Sequence, residues 1–184
     1  MGADPGAAPE VETPGTPSKR KTFRAFELAS EKGARFEIAH QTGVRDLAGV
    51  TEDYRARNIK ARCMAFVEHI EEIYAWADLV LARAGASTVT ELACAAKPAI
   101  FVPLPNAIDN HQTANARFLS DAKAAILLPQ SELCAERLAH LLCGLTRAEL
   151  REMSARSFSR AMSDATSIAA NEVEALARYA GGPR

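Results

Sequence analysis

Between Arg35 and Leu128 short apolar runs alternate with longer segments of helical periodicity, and this alternation constrains the fold more than anything else in the chain. When a helix follows each strand, it carries the chain back across the sheet, and the next strand enters parallel to the last. The candidate strands are Arg35 to Ala39, Ala61 to Phe66, Leu79 to Ala82, Ala99 to Val102 and Ala125 to Leu128. Helical patterns fill the intervals at Val44 to Arg57, Ile70 to Trp76, Thr88 to Ala96 and Asn110 to Asp121. Phe23, Phe26 and Leu28, ending at Gly33, predict a short amphipathic helix ahead of them. From Ser131 onward only helical periodicity remains, first with Leu133, Leu138, Leu141 and Leu142, then at Arg147 to Phe158 and at Ala165 to Tyr179. The sheet is therefore expected to end near Pro129, and the fold class is α/β with a parallel sheet.

The ends and the charge balance limit what such a sheet can serve. A chain of 184 residues, 48% hydrophobic, suffices for one buried domain or for one half of a two-domain enzyme. Residues 1 to 20 hold four of the nine prolines, three of the ten glycines and no aromatic, so this segment is expected to be a disordered tail. The start lacks the apolar core of a signal peptide, and no stretch approaches the roughly 20 apolar residues of a membrane span. With 22 Lys and Arg against 23 Asp and Glu, nothing in the balance calls for a nucleic acid or an anionic membrane surface as partner. Cys63, Cys94, Cys134 and Cys143 are scattered, as are His40, His69, His111 and His140. Neither a disulfide framework nor a metal site is expected, no cofactor is called for, and the scattered thiols suit a reducing cytoplasm.

In open parallel sheets, ligands lie beyond the carboxyl ends of the strands, where loops run into helix N-termini. Two loops meet that description. The first, Arg83-Ala84-Gly85-Ala86-Ser87-Thr88, joins a strand directly to a helix. Gly85 permits a tight turn and Ser87 or Thr88 can cap the helix, whose free N–H groups attract phosphate. An ordinary βα turn with a hydroxyl cap accounts for the same residues. Glu91, three residues past Thr88, either closes a capping box or faces a ligand. The second loop, Pro103 to Gln112, gathers Asp109, Asn110, His111 and Gln112 at the start of the next helix. A capped helix start with Asp109 or Asn110 as the cap explains two of the four. His111 alone, without a nearby Ser or Cys nucleophile, is read as a helix-start residue before a base. Tyr74 and Trp76 are read as core packing.

Taken together, the runs His40-Gln41-Thr42-Gly43, Tyr74-Ala75-Trp76-Ala77-Asp78, Arg83 to Glu91 and Asp109 to Ala116 resemble the C-terminal half of the MurG-type N-acetylglucosaminyltransferases of peptidoglycan synthesis. The resemblance runs from about Phe23 to the C-terminus. It implies a Rossmann-like sheet, the C-terminal domain of a GT-B glycosyltransferase, over residues 21 to 184. It also implies a donor, UDP-N-acetylglucosamine, and an acceptor, the undecaprenyl-pyrophosphoryl-muramoyl-pentapeptide (lipid I), converted to lipid II at the cytoplasmic face of the inner membrane. Carried over by position, Ala86, Ser87, Thr88, Val89, Thr90 and Glu91 resemble the donor-binding segment, with Glu91 as the carboxylate that takes the ribose hydroxyls. Val67 matches the position whose backbone reads the uracil. Gln112 matches a glutamine that contacts the transferred sugar, with His111 beside it, and Arg83 matches an arginine near the same pocket.

The chain also departs from that pattern. The acceptor-binding domain with its candidate general base has no counterpart, so the resemblance assigns no catalytic residue here and implies a donor-binding half that is not expected to be active alone. The alternative readings are a non-catalytic nucleotide-sugar-binding or interaction module, such as a partner that completes a separately encoded N-terminal half, and a truncated, non-functional fragment. The first strand of the C-terminal domain, with its diphosphate loop, is expected to be missing where the Pro-rich tail stands. Ala96 and Lys123 occupy helix ends where the family has glycine. If those positions are left-handed, each swap costs on the order of 1 kcal/mol.

Overall fold

The computed structural model describes residues 19–105 and 110–161. Residues 1–18 of the expected tail, Asp109 and the helix expected at Ala165 to Tyr179 fall outside the described residues. The elements run α1 (Lys19–Glu31), β1 (Ile38–Gln41), α2 (Leu47–Ala56), β2 (Ala61–Met64), α3 (Ile70–Trp76), β3 (Val80–Ala82), α4 (Ala86–Cys94), β4 (Ala99–Phe101), α5 (His111–Ser120), β5 (Ala125–Leu127), α6 (Ala135–Gly144) and α7 (Arg147–Ser159), with a 3-10 turn at Gln130–Glu132. Each expected strand forms: the first is shifted toward the C-terminus, starting at Ile38 and running past Ala39 to Gln41, and the other four are trimmed by one or two residues. Each helix expected within the described residues forms as well. Lys19 and Arg20, assigned from composition to the tail, instead open α1. The Lys19 ammonium lies 2.7 Å from the Asp46 carboxylate ahead of α2, an attachment that composition does not reveal.

All strand pairs are parallel, as the alternation requires, but they form two sheets: β1 beside β2, and β3-β4-β5. In the doubly wound order 3-2-1-4-5-6 the first strand lies between these two groups, so the break falls where that strand is expected to be missing. α1 spans the break. Its Phe23 and Phe26 pack with Val50, Tyr54 and the β1–β2 strands, and its Ala25 and Ala29 pack with Ile100, Val102, Leu128 and α6. The spacing of these buried positions, three or four apart, is that of one helix side meeting two neighbours.

β4 is the centre of the molecule. Ala99, Ile100, Phe101 and Val102 are fully buried, with Ile100 and Val102 on one face and Phe101 on the other. Leu92, Ala93, Ala116 and Leu119 of α4 and α5 cover the Phe101 face, while Leu133, Leu138 and Ala139 cover the Ile100 face. Burial of a side chain such as Phe101 or Leu92 stabilises the fold by about 1.5–3 kcal/mol.

Four helices stop in the same way. After α1, α2, α4 and α5, a left-handed residue follows and the next N–H reaches back five residues, as in Lys97 N–H to Leu92 C=O (2.9 Å) and Ala124 N–H to Leu119 C=O (2.9 Å). The left-handed residues are Gly33, Asn58, Ala96 and Lys123, with φ of 87°, 52°, 54° and 56°. The two positions expected to be strained without glycine are therefore left-handed. Both are held by α7: Ser154 Oγ donates to the Ala96 carbonyl (2.7 Å) and Arg156 to the Lys123 carbonyl (3.4 Å). α7 itself starts on a capping box in which Thr146 and Glu149 bond reciprocally.

Candidate functional site

The loop after β3 forms the centre of the candidate site. Gly85 caps α4 in an extended conformation (φ −63°, ψ 149°) with no side-chain cap, so neither Ser87 nor Thr88 is the cap residue the sequence suggested. Both stand in the first turn. Val89 N–H makes the first bond of the helix, to Gly85 C=O (3.0 Å), which leaves the first-turn N–H groups ahead of it without intrahelical acceptors. No Lys or Arg occurs from Ala84 to Glu91, and the positive end of the helix is the local attraction for an anion.

The residues of this segment divide by face. Ala86, Ser87, Thr90 and Glu91 are exposed and Thr88 is half-buried. Val89 is 4% exposed, in the core with Leu92 and Ala93, so its side chain is withdrawn from any ligand, contrary to the assignment of the whole run to the donor. Thr90 Oγ1 donates back to Ala86 C=O (3.0 Å). Ser87 and Glu91, four apart, share one face of the helix, with Glu91 about 7.5 Å further along the axis than Ala86.

Glu91 does not close a capping box with Thr88. Its Oε2 accepts a hydrogen bond from the Tyr74 hydroxyl at 3.0 Å. Burial, then the bond to Glu91 and its charge, push the Tyr74 phenol well above its ordinary value, so it is a donor at neutral pH. Tyr74 packs against the α4–α5 core as expected; Trp76, expected in the core beside it, is 48% exposed at the end of α3. In a helix, residues two apart point to different sides, so both could not be buried against the same neighbour.

Arg83 is only 6% exposed. Its guanidinium donates to the carbonyls of Val102 (3.1 Å) and Pro103 (3.2 Å) and to Gln130 Oε1 (2.7 Å). It thus holds the exits of β3, β4 and β5 in mutual register beneath the loops. Asn115 Nδ2 donates to Ala84 C=O (3.1 Å) and so fixes the first loop to α5.

At the second loop, Asn110 is the cap residue of α5, as expected of it or Asp109, but in a left-handed conformation (φ 55°) and without a side-chain bond to the helix. Its Oδ1 instead accepts from Thr113 Oγ1 (2.7 Å). Gln112 Oε1 accepts from Leu104 N–H (2.9 Å), which orients the amide so that its NH₂ is the group left for a ligand. His111 is exposed beside it.

The third part of the site lies on the smaller sheet. Val67 is buried, and its N–H donates to Gln41 Oε1 (3.1 Å), so a ligand reading this backbone meets the carbonyl. Gln41 thereby joins the exits of β1 and β2. Below it, His40 Nδ1 and Tyr54 Oη lie 3.0 Å apart, and burial chiefly, with Lys19 opposing a second positive charge, lowers the His40 pKa to about 4 despite the nearby Asp46. Among the described residues no group of three His, Cys, Asp or Glu side chains is placed to hold a metal.

Tyr74, Gln41, Asn115 and Gln130 also shape the candidate site, without a local sequence signal that marks them. Each acts on a partner 17 to 47 positions away, and no local spacing signals such contacts.

Comparison with known proteins gives this arrangement a family. The glycosyltransferase family 28 C-terminal domain matches residues 20–171. UDP-N-acetylglucosamine–N-acetylmuramyl-(pentapeptide) pyrophosphoryl-undecaprenol N-acetylglucosamine transferases are similar to the chain. That of Nitrosospira multiformis is 44% identical over 78% of this chain and 40% of its own length. That of Bordetella pertussis is 44% identical over 85% and 44%. The crystal structure of Acinetobacter baumannii MurG superimposes with a TM-score of 0.78 at 34% identity, covering 85% of this chain and 45% of that one. The chain spans less than half the length of each of these relatives. Its parallel α/β fold, its strand-exit loops and the match over most of its length make it a member of the glycosyltransferase family 28 C-terminal domain family.

Proposed function

We propose that this chain is the donor-binding half of a hexosyltransferase that moves N-acetylglucosamine from UDP-N-acetylglucosamine to lipid I, forming lipid II for the growing cell wall. The observation that carries the reading is the pairing, on one helix, of an N-terminus lacking a side-chain cap with a carboxylate held in place on the same exposed side. A helix N-terminus suits a diphosphate and a carboxylate suits the vicinal hydroxyls of a ribose. Gln112 NH₂ then serves the hydroxyls of the sugar, and the Val67 carbonyl the base. Ser87 and Thr88 add hydroxyl donors for phosphate oxygens.

In this reading the chain's share of catalysis is to orient the donor and to stabilise charge on the departing diphosphate by first-turn N–H groups. Deprotonation of the acceptor hydroxyl falls to a base outside the donor site, on an acceptor-binding half of the kind the longer relatives have room for. The site described accounts for holding the donor, and in this reading the acceptor's lipid brings the protein to the cytoplasmic membrane surface as a peripheral protein. No described helix is long and apolar enough to cross a membrane.

Titration calorimetry with UDP tests the site: binding in the millimolar range or tighter is expected, and Glu91→Ala should weaken it about tenfold, or about 1.4 kcal/mol. Absence of any UDP binding at millimolar concentration would remove the proposal. A second reading, a nucleotide-sugar-binding module without transfer, fits the same groups, which bind and orient a ligand without reacting. Co-expression with an acceptor-binding half decides between them: lipid II made only by the pair supports the split enzyme, and donor binding without transfer in any pairing supports the module.

A further inference from the structure

We infer that Tyr74 is the positioning residue that presents Glu91 to a ribose, and that it thereby sets the preference of this site for ribonucleoside over 2′-deoxyribonucleoside diphosphates. The inference deepens the donor-binding reading and rests on it. Glu91 is exposed on the second turn of α4, and a free glutamate at such a place samples several rotamers. A diol is recognised through two hydroxyls at once, so the acceptor that meets it gains from having its direction set before the ligand arrives. Tyr74 sets it: its hydroxyl lies 3.0 Å from Oε2, leaving Oε1 and the second lone pair of Oε2 for a ligand.

The anchor is itself rigid. The Tyr74 ring packs against the core formed by α4 and α5. The last turn of α3 is tied to the chain beyond α4 by Lys97 Nζ, which donates to the carbonyls of Ala77 (3.0 Å) and Ala75 (3.4 Å). Tyr74 touches neither the first-turn N–H groups nor the Gln112 loop in the hydrogen bonds it makes, so its effect is confined to the ribose end of the site.

The test measures the dissociation constants of UDP and 2′-deoxy-UDP for the intact chain, for Tyr74→Phe, for Glu91→Ala and for the double variant. Tyr74→Phe keeps the ring, and its thermal midpoint is recorded as a control. The expected result is weaker UDP binding, by about threefold to fivefold, with 2′-deoxy-UDP, which keeps only the 3′-hydroxyl, weakened less, so that the gap between the two ligands narrows. In the Glu91→Ala background the same substitution should have no further effect. Equal weakening of both ligands means a structural role only, and an unchanged gap means no role; either overturns the inference while leaving the donor site in place. Failure of the unaltered chain to bind UDP overturns the donor-binding reading together with it.

Discussion

The two sheets of this domain are built by the same rule and end in different states. β4 lies between two strands with both faces covered, and Ile100, Phe101 and Val102 are fully buried. The β1–β2 pair has strands that are half-buried or exposed along their length, and the loops at its carboxyl ends leave Val44 82% and Phe66 70% exposed. The larger sheet supplies the rigid part of the site, the α4 start with Arg83 beneath it. The smaller sheet supplies the more open part, where Gln41 orients Val67 across two strand exits. A parallel strand reaches full burial only when paired on both edges and covered on both faces, and only β4 meets both conditions among the described residues.

Core truncation should separate the sheets most strongly. Phe101→Ala is expected to lower stability by about 3–5 kcal/mol, whereas Ile38→Ala in the half-buried β1 should cost less than half as much, both read from urea denaturation. Equal losses would mean that the smaller sheet is as well packed as the larger.

The next effect is confined to the smaller sheet and depends on pH. His40 has its folded pKa near 4 against an ordinary 6.5, so the unfolded chain takes up the proton first. The neutral ring's contribution is complete above about pH 6.5 and is lost as pH falls toward 4, by on the order of 3 kcal/mol. Denaturation midpoints compared at pH 7.5 and 4.5 measure it, and His40→Gln should flatten that part of the profile while leaving the rest in place.

The smallest effect returns to the larger sheet. Ala96→Gly and Lys123→Gly should each raise stability by about 0.5–1 kcal/mol, because each position is left-handed. Gly33→Ala, at the corresponding end of α1, should lower it by a similar amount. A neutral outcome at Ala96 and Lys123 would mean that the bonds from Ser154 and Arg156 offset the backbone strain.

Much of this molecule was legible before its fold was known. The five strands and the helices among the described residues follow from where apolar periodicity switches between two and 3.6, and the candidate site segments are proposed from hydroxyl, carboxylate and amide residues at strand exits. What was misread has a common cause. Ser87 and Thr88 have the chemistry of caps, but a cap is defined by where the backbone leaves the helical region, and here that is Gly85. Val89 lies inside the motif, yet the helix turns it to the core. Arg83 matches an arginine near the pocket, and only the fold shows it buried beneath the loops, donating to Val102, Pro103 and Gln130.

The sequence by itself determined the alternation, and with it a parallel α/β sheet with loops gathered at the strand exits, because periodicity and turn chemistry act over a few residues. Only the tertiary structure decided that the sheet is broken between β1 and β3, that α7 holds two left-handed residues lacking glycine, and that Tyr74 meets Glu91. Those features arise between segments far apart in the chain, where the choice of partner is made by packing and by the need to satisfy buried polar groups.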